Sequence, residues 1–289
     1  MRKPDIKIPD SQDLFCGCDS PYEASRFVLF GAPYDGSVSF RSGARQAPAA
    51  MRRDSWSLET YSPLQDRDLE DSRVCDLGDL DLADGGTASA IDQVEDRTRS
   101  ILQDEKFPIM IGGDHSLTLG SVRAALEAFP GLHLIQLDAH TDLRDSYLGD
   151  PLSHASVMRR CHDLLGDGRI HALGIRSGLR EEFIFAKEHG SLYPFSLEGV
   201  RSLAGMVGRV PVYVTLDLDV LDPSFLPGTG TPEPGGVSFS ELLDALEVLS
   251  SLNLVAMDLM ELAPDLDPSG ASTAVACKLL REWILMLSD

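Results

Sequence analysis

The chain has 289 residues, 43% of them hydrophobic and 25% charged, which excludes wholesale disorder and suits one large α/β domain. Asp and Glu number 46 against 25 Lys and Arg, a formal net charge of −21, so a phosphate backbone is a poor partner and cationic ligands or metal ions are good ones. No apolar run approaches the roughly 18–20 residues that span a bilayer, and the charged, proline-bearing start lacks the apolar core of a signal peptide.

Residues 1–25 carry no assignable element. Cys16 and Cys18 form a Cys-Gly-Cys, but no second Cys or His cluster lies nearby to complete a zinc site. Five cysteines cannot all pair, and Cys75, Cys161 and Cys277, far apart in sequence, read as reduced thiols of an intracellular protein. Apolar runs then recur along the chain. Strands are predicted at Phe27–Phe30, Val74–Leu77, Pro108–Ile111, Leu132–Leu137, Ile170–Ile175, Val210–Leu216 and Leu254–Leu259. Between them, Thr118–Phe129, Ser240–Leu249 and Thr273–Leu287 place apolar residues three and four apart, the helical spacing. Ser238-Phe239-Ser240-Glu241 reads as a capping box before the second of these. Alternating strand and helix predicts a mostly parallel sheet with helices on its faces. Ligands of such sheets bind beyond the carboxyl ends of the strands, and the unusual polar clusters fall there.

The first cluster is Gly112-Gly113-Asp114-His115-Ser116. The glycines permit a sharp turn, and Asp114 or Ser116 can cap the helix that follows. By itself it is a weak signal. The second, Asp138-Ala139-His140-Thr141-Asp142, follows an apolar strand. In extended chain, Asp138, His140 and Asp142 point to one side and can converge on one point. Such a gathering is costly unless something positive compensates, and a divalent cation is the simplest compensation. A solvated acidic loop is the blander reading. The third runs from Thr215 to Pro223. Asp217 and Asp219 share a face at a strand end, while Asp222 before Pro223 reads as a turn. His115, Asp138, His140, Asp142, Asp217 and Asp219 together are too many ligands for one tetrahedral zinc. They suit two cations sharing carboxylates, with oxygen-rich ligation favouring Mn²⁺. Paired metals activate water, so the chemistry implied is hydrolysis of a poor electrophile.

GGDHS, DAHTD, DLDVLDP and the run Asp258-Leu259-Met260-Glu261-Leu262-Ala263-Pro264, in this order, resemble the ureohydrolases, the family of arginase and agmatinase. Gly31-Ala32-Pro33-Tyr34-Asp35 and Phe40-Arg41-Ser42-Gly43-Ala44-Arg45 resemble the family's entry segment. The resemblance runs from about Phe27 to the C-terminus. It implies a single three-layer α/β/α domain, placed here at residues 26–289, and a binuclear Mn²⁺ site. His115, Asp138, Asp142 and Asp217 would hold one ion. Asp138, His140, Asp217 and Asp219 would hold the other, so Asp138 and Asp217 bridge. Carried over in the same way, His154 is the catalytic histidine that shuttles protons, although as a lone residue it reads as a structural histidine. Glu261 anchors the substrate guanidinium, and Thr231 contacts the substrate. The implied reaction is attack of activated water on the guanidinium carbon. Asp142 carries the proton to the departing amine, and urea leaves. A cytoplasmic homo-oligomer, trimeric or hexameric, is also implied.

DAHTDLR followed by Tyr147, Pro151-Leu152-Ser153-His154, and the run Pro227 to Gly236 resemble the agmatinase branch. Agmatine, cleaved to putrescine and urea in polyamine synthesis, is therefore the expected substrate. The run Gly174 to Leu179 has no acid before Glu181, where arginase grips its substrate's amino end. Asp145 is a candidate to face an ammonium. Arg144 would repel one unless tied to a carboxylate, and keeps 4-guanidinobutyrate open beside arginine and aminopropylagmatine. Two other classes share the fold: a one-metal deacetylase, against which the full two-metal set argues, and a non-catalytic binding protein, against which the intact polar set argues.

Overall fold

All seven predicted apolar runs are strands in a computed structural model that describes residues 13–83 and 85–288. In chain order the elements are β1 (Phe27–Gly31), α1 (Ala47–Ser55), β2 (Tyr61–Ser62), β3 (Arg67–Asp68), β4 (Val74–Asp79) and α2 (Gly86–Gln103). Then come β5 (Phe107–Ile111), α3 (Thr118–Ala128), β6 (His133–Leu137), α4 (Val157–Leu165), β7 (Ile170–Leu173) and α5 (Arg180–His189). The chain finishes with β8 (Ser191–Tyr193), α6 (Val200–Val207), β9 (Pro211–Asp217), α7 (Phe239–Ser250), β10 (Asn253–Met260) and α8 (Ala271–Leu287). Five helices and the short strands escaped the sequence reading; β8 is half-buried and only three residues long, too short to show a pattern. The predicted Ile170–Ile175 strand stops at Leu173. Gly174 turns to φ +86 there, and a Cβ would lie 2.8 Å from Val220 and 3.1 Å from the Asp138 carbonyl oxygen.

Eight strands form one parallel sheet in the order β4-β1-β5-β10-β9-β6-β7-β8; β2 and β3 pair separately as an antiparallel hairpin. Strand residues alternate between two cores. On β9, Val212, Val214 and Leu216 face a core shared with Met51 of α1, Leu203 of α6, Leu246 of α7 and Trp283 of α8. Tyr213 faces the other, with Ile91 and Val94 of α2, Val122 of α3 and Cys161 of α4. The sheet is thus covered on both faces, a three-layer α/β/α domain. The capping box before α7 forms: Ser238 Oγ accepts from the Glu241 amide at 3.3 Å, and Glu241 Oε2 accepts from the Ser238 amide at 2.7 Å.

The described part of the N-terminal segment packs on this domain. Phe15 and Cys18 are buried, and the Phe15 amide donates to Asp76 Oδ2 at 2.9 Å. Arg52 donates to both Asp76 oxygens at 2.8 and 2.9 Å, which keeps that buried carboxylate paired. All five cysteines are free. No helix among the described residues is long and apolar enough to cross a membrane.

Strand order decides where chemistry gathers. β5, β10, β9 and β6 are neighbours at the sheet centre, though the chain visits them far apart. Their carboxyl ends carry, in turn, the GGDHS loop, Glu261, the Asp217–Asp219 pair and the Asp138–Asp142 loop.

Candidate active site

Local backbone chemistry places each side chain. Gly113 lies against the segment after β1; a Cβ there would sit 1.7 Å from the Tyr34 carbonyl oxygen, so no larger residue fits. Asp114, one of the two proposed caps, caps the following turn, with Oδ1 accepting from the Ser116 amide at 3.2 Å. His115 is thereby turned into the sheet end. Glu261 leaves β10 with φ +66, its amide donating to the Gly113 carbonyl at 3.0 Å and its Oε1 accepting from the His115 amide at 2.7 Å. The β5 and β10 loops are therefore cross-braced.

The expected side-by-side extension of Asp138, His140 and Asp142 is not how they meet. β6 ends at Leu137, and Asp142 takes a left-handed φ of +50. Local bonds fold the loop instead. Asp138 Oδ1 accepts from the His140 amide at 2.6 Å, and Arg176 and Ser177 amides donate to the Ala139 carbonyl. Asp219 likewise lies in a short 3-10 turn, Leu218–Val220, capped by Asp217, whose Oδ1 accepts from the Asp219 amide at 2.8 Å. Its own Oδ1 accepts from the Ala139 amide at 3.1 Å, which joins the β9 and β6 loops.

Five of the six positions meet in two overlapping groups, His115–Asp138–Asp142 and Asp138–His140–Asp219, each with donor atoms within 4.8 Å of one another; Asp217 joins them through His115. His115 Nδ1 lies 3.2 Å from Asp138 Oδ2, 3.2 Å from Asp142 Oδ2 and 3.3 Å from Asp217 Oδ2. His140 Nδ1 lies 2.9 Å from Asp219 Oδ2. Despite three oxygens nearby, His115 Nδ1 is buried without a hydrogen bond of proper geometry. Its Nε2 lies 2.8 Å from the Thr215 hydroxyl. With Nε2–H donating to Thr215, Nδ1 turns a lone pair on three carboxylate oxygens, an arrangement that a shared cation stabilises. The donor set, four carboxylates and two imidazoles, fits divalent cations with a preference for oxygen ligands.

Electrostatics argue in the same direction. Burial, then the neighbouring charges of Asp219 and Asp138, pushes the Asp217 carboxyl well up. Burial and Asp138 raise Asp142. Burial opposes charge on His115, yet Asp138, Asp142 and Asp217 pull its proton affinity well upward. Four buried acids at one point need positive charge, supplied by protons or by metal ions. Below them, Thr118 and Tyr213 hydroxyls donate to Asp258 Oδ2 at 2.8 and 2.7 Å, packing a hydrogen-bonded support under Thr215.

A cavity of about 300 Å³ opens over this cluster. Its lining includes His140, Asp142, Asp217, His154, Glu261 and Thr231, so the expected catalytic and substrate positions border one space. Thr231 Oγ1 donates to Asp219 Oδ2 at 3.5 Å. His154 Nδ1 donates to the Ser37 carbonyl at 2.8 Å, which leaves Nε2 3.3 Å from the Ser39 hydroxyl. Glu261 is buried; burial, then the Asp114 charge, holds its carboxyl well above the usual range.

The cavity wall holds residues that sequence reasoning passed over. Glu182 lines it, one position beyond the Glu181 that marked the end of the acid-free run. Its carboxylate accepts from the Leu143 amide at 3.0 Å and the Leu179 amide at 2.6 Å, and Arg144 Nε lies 4.0 Å away. The available signal was its place three residues after Leu179 at the start of α5. Arg144 also stacks over Tyr147, 4.5 Å from the ring centre. Asp145 does not line the cavity; it pairs with Arg160 at 2.8 Å.

A model of the Arginase family matches residues 25–286. The chain is 42% identical over 279 residues to an agmatinase of Bacillus cereus, covering 95% of this chain and 96% of that one. It is 36% identical over 266 residues to the N(1)-aminopropylagmatine ureohydrolase of Thermococcus kodakarensis, covering 87% and 88% of the two chains. Among solved structures, the agmatine ureohydrolase of Thermoplasma volcanium superposes with a TM-score of 0.88 at 36% identity, covering 96% of this chain and 95% of that one.

Proposed function

The chain belongs to the arginase family, as a ureohydrolase of its agmatinase branch, and from that starting point we propose that it hydrolyses agmatine to putrescine and urea with two Mn²⁺ ions. The observation that carries the reading is the meeting of four loop ends under one cavity, with His115 Nδ1 facing three carboxylates. His115, Asp138, Asp142 and Asp217 would hold one ion; Asp138, His140, Asp217 and Asp219 would hold the other. When bound, such a pair supplies Lewis acidity and an activated water near neutral pH.

The remaining work falls to the chain. A guanidinium has only donors, in a planar fork that matches a carboxylate, and Glu261 is the carboxylate placed to meet it. Its buried position would strengthen that contact and hold the guanidinium beside the residues that would carry the ions. Asp142 borders both the cluster and the cavity, the position for a group that takes a proton and returns it to the leaving amine. His154, held by Ser37 through Nδ1, keeps Nε2 available for proton exchange toward Ser39 and the cavity mouth.

Agmatine is favoured over carboxylated guanidines by the wall. Arg144 is the cation that would welcome a carboxylate, but its charge is met by Glu182 and the Tyr147 ring face. The test is urea release by the Mn²⁺-loaded enzyme on agmatine, arginine, 4-guanidinobutyrate and aminopropylagmatine. The expected result is the highest kcat/KM on agmatine. A preference for 4-guanidinobutyrate or arginine overturns the reading of Arg144, and a preference for aminopropylagmatine overturns the substrate assignment while leaving the hydrolysis intact. No urea from any of the four overturns the function.

A further inference from the structure

A second group of metal-binding side chains lies outside the cavity. His162 stands in the last turn of α4, His189 is the last residue of α5, and Asp167 sits in the Gly166-Asp167-Gly168 turn that leaves α4. His162 Nε2 and His189 Nδ1 each lie 2.9 Å from the same oxygen, Asp167 Oδ1. All three donor atoms fall within 4.8 Å of one another.

We propose that His162, Asp167 and His189 form a binding site for a late first-row divalent cation, Zn²⁺ being the fitting case, that clamps the ends of α4 and α5. Two imidazoles and one carboxylate make up a three-residue zinc set that leaves a fourth position for water. Imidazole-rich ligation separates this site from the carboxylate-rich central cluster and directs it to a softer ion. Donor atoms on one tetrahedral ion stand about 3.3 Å apart, and each imidazole nitrogen already lies 2.9 Å from the Asp167 oxygen.

Three features support the geometry. Both helices present their carboxyl ends here, where the helix dipole favours a cation. The turn is held in place by the Gly168 amide, which donates to the His189 carbonyl at 2.7 Å, so Asp167 and His189 keep their relative position. The rings are oriented by Phe185, whose centre lies 4.8 Å from His162 and 4.3 Å from His189. His162 Nδ1 is buried without a partner, which leaves Nε2 as the nitrogen directed at Asp167. Arg159, over Phe185, is the nearby cation, and Asp163 lies 3.7 Å from it.

The site would act on the cavity through the helices it joins. α4 begins where the Met158 and Arg159 amides donate to the Asp142 carbonyl at 3.0 and 3.3 Å. α5 begins beside Leu179 and Glu182, both of which line the cavity. A clamp at the far ends of these helices steadies one wall.

The experiment uses the full-length Mn²⁺-loaded protein, dialysed to equilibrium against Zn²⁺ with Mn²⁺ in excess, and metal content read by mass spectrometry. Wild type is compared with His189→Gln and Asp167→Asn, whose side chains are partly or largely exposed and outside the cavity. The comparison cancels any zinc that enters the central cluster. The expected result is one zinc equivalent fewer in each variant, and a zinc-induced rise in Tm that wild type shows and the variants lack. Equal zinc content in all three proteins overturns the proposal and leaves the trio as an ion-paired helix lock. Should one variant fail to fold, the other alone decides, since each removes a ligand.

Discussion

Replacing Glu261 by Gln tests the substrate anchor at its centre. The carboxylate is buried, and its Oε1 accepts from the His115 amide at 2.7 Å. A Gln amide oxygen can keep that bond, so the backbone that positions His115 stays in place. The side-chain NH₂ then faces the cavity and offers donors to a guanidinium that has only donors. Each lost hydrogen bond to a charged group is worth about 1.5–3 kcal/mol, and a fork makes two. Allowing for their non-additivity, about 3–4 kcal/mol of binding to the reacting group is removed, or roughly 150- to 900-fold in kcat/KM for agmatine. Metal content should be unchanged. Stability should be unchanged or higher, because the substitution removes a carboxylate strained by burial and by the charge of Asp114. The assays are urea release, elemental analysis and thermal unfolding on the same preparation. A loss below about tenfold, with metals in place, would refute Glu261 as the anchor. A loss accompanied by missing metal would show that it acts through His115.

Asp138→Ala should lower metal content together with activity, since Asp138 belongs to both donor groups; full metal occupancy in that variant would sink its bridging role. If His154 only exchanges protons, His154→Ala should keep partial activity that added imidazole restores; absence of rescue would assign the ring another task. The stacked pair His133 and His171, with Nδ1 and Nε2 2.9 Å apart, predicts an acid-sensitive fold. Burial, then the neighbouring His133, lowers the His171 pKa to about 4, below the ordinary 6.5 of the unfolded chain. The unfolded state therefore binds the extra proton first, so the penalty is absent above about pH 7 and grows as pH falls from about 6.5 to about 4. Its ceiling is about 3 kcal/mol. Urea midpoints across that window should fall more steeply in wild type than in His171→Gln, and parallel slopes would refute the assignment.

Much of the fold was legible because hydrophobic period and turn chemistry are local. The buried runs on both faces of a parallel sheet, such as Val212 to Leu216, announce themselves without knowledge of neighbours. So does the placing of polar clusters at strand ends, which pointed to His115, Asp138, Asp142 and Asp217 as residues to bring together. What local pattern cannot carry is strand order. Only the tertiary arrangement makes β5, β10, β9 and β6 neighbours, and so gathers four loops separated by long stretches of chain. The same holds for loop geometry. Asp142 and Glu261 reach the cluster through left-handed backbone held by distant hydrogen bonds, where the sequence suggested simple extension for Asp142. From sequence, Arg144 was a cation near the mouth that would repel an ammonium unless tied to a carboxylate, and no carboxylate could be named. Its charge is answered by Glu182, 38 residues on, a contact set by how α5 packs and invisible in any window of sequence. Chemistry that depends on residue type was written in the chain; chemistry that depends on which long-range neighbour meets a charge was settled by packing.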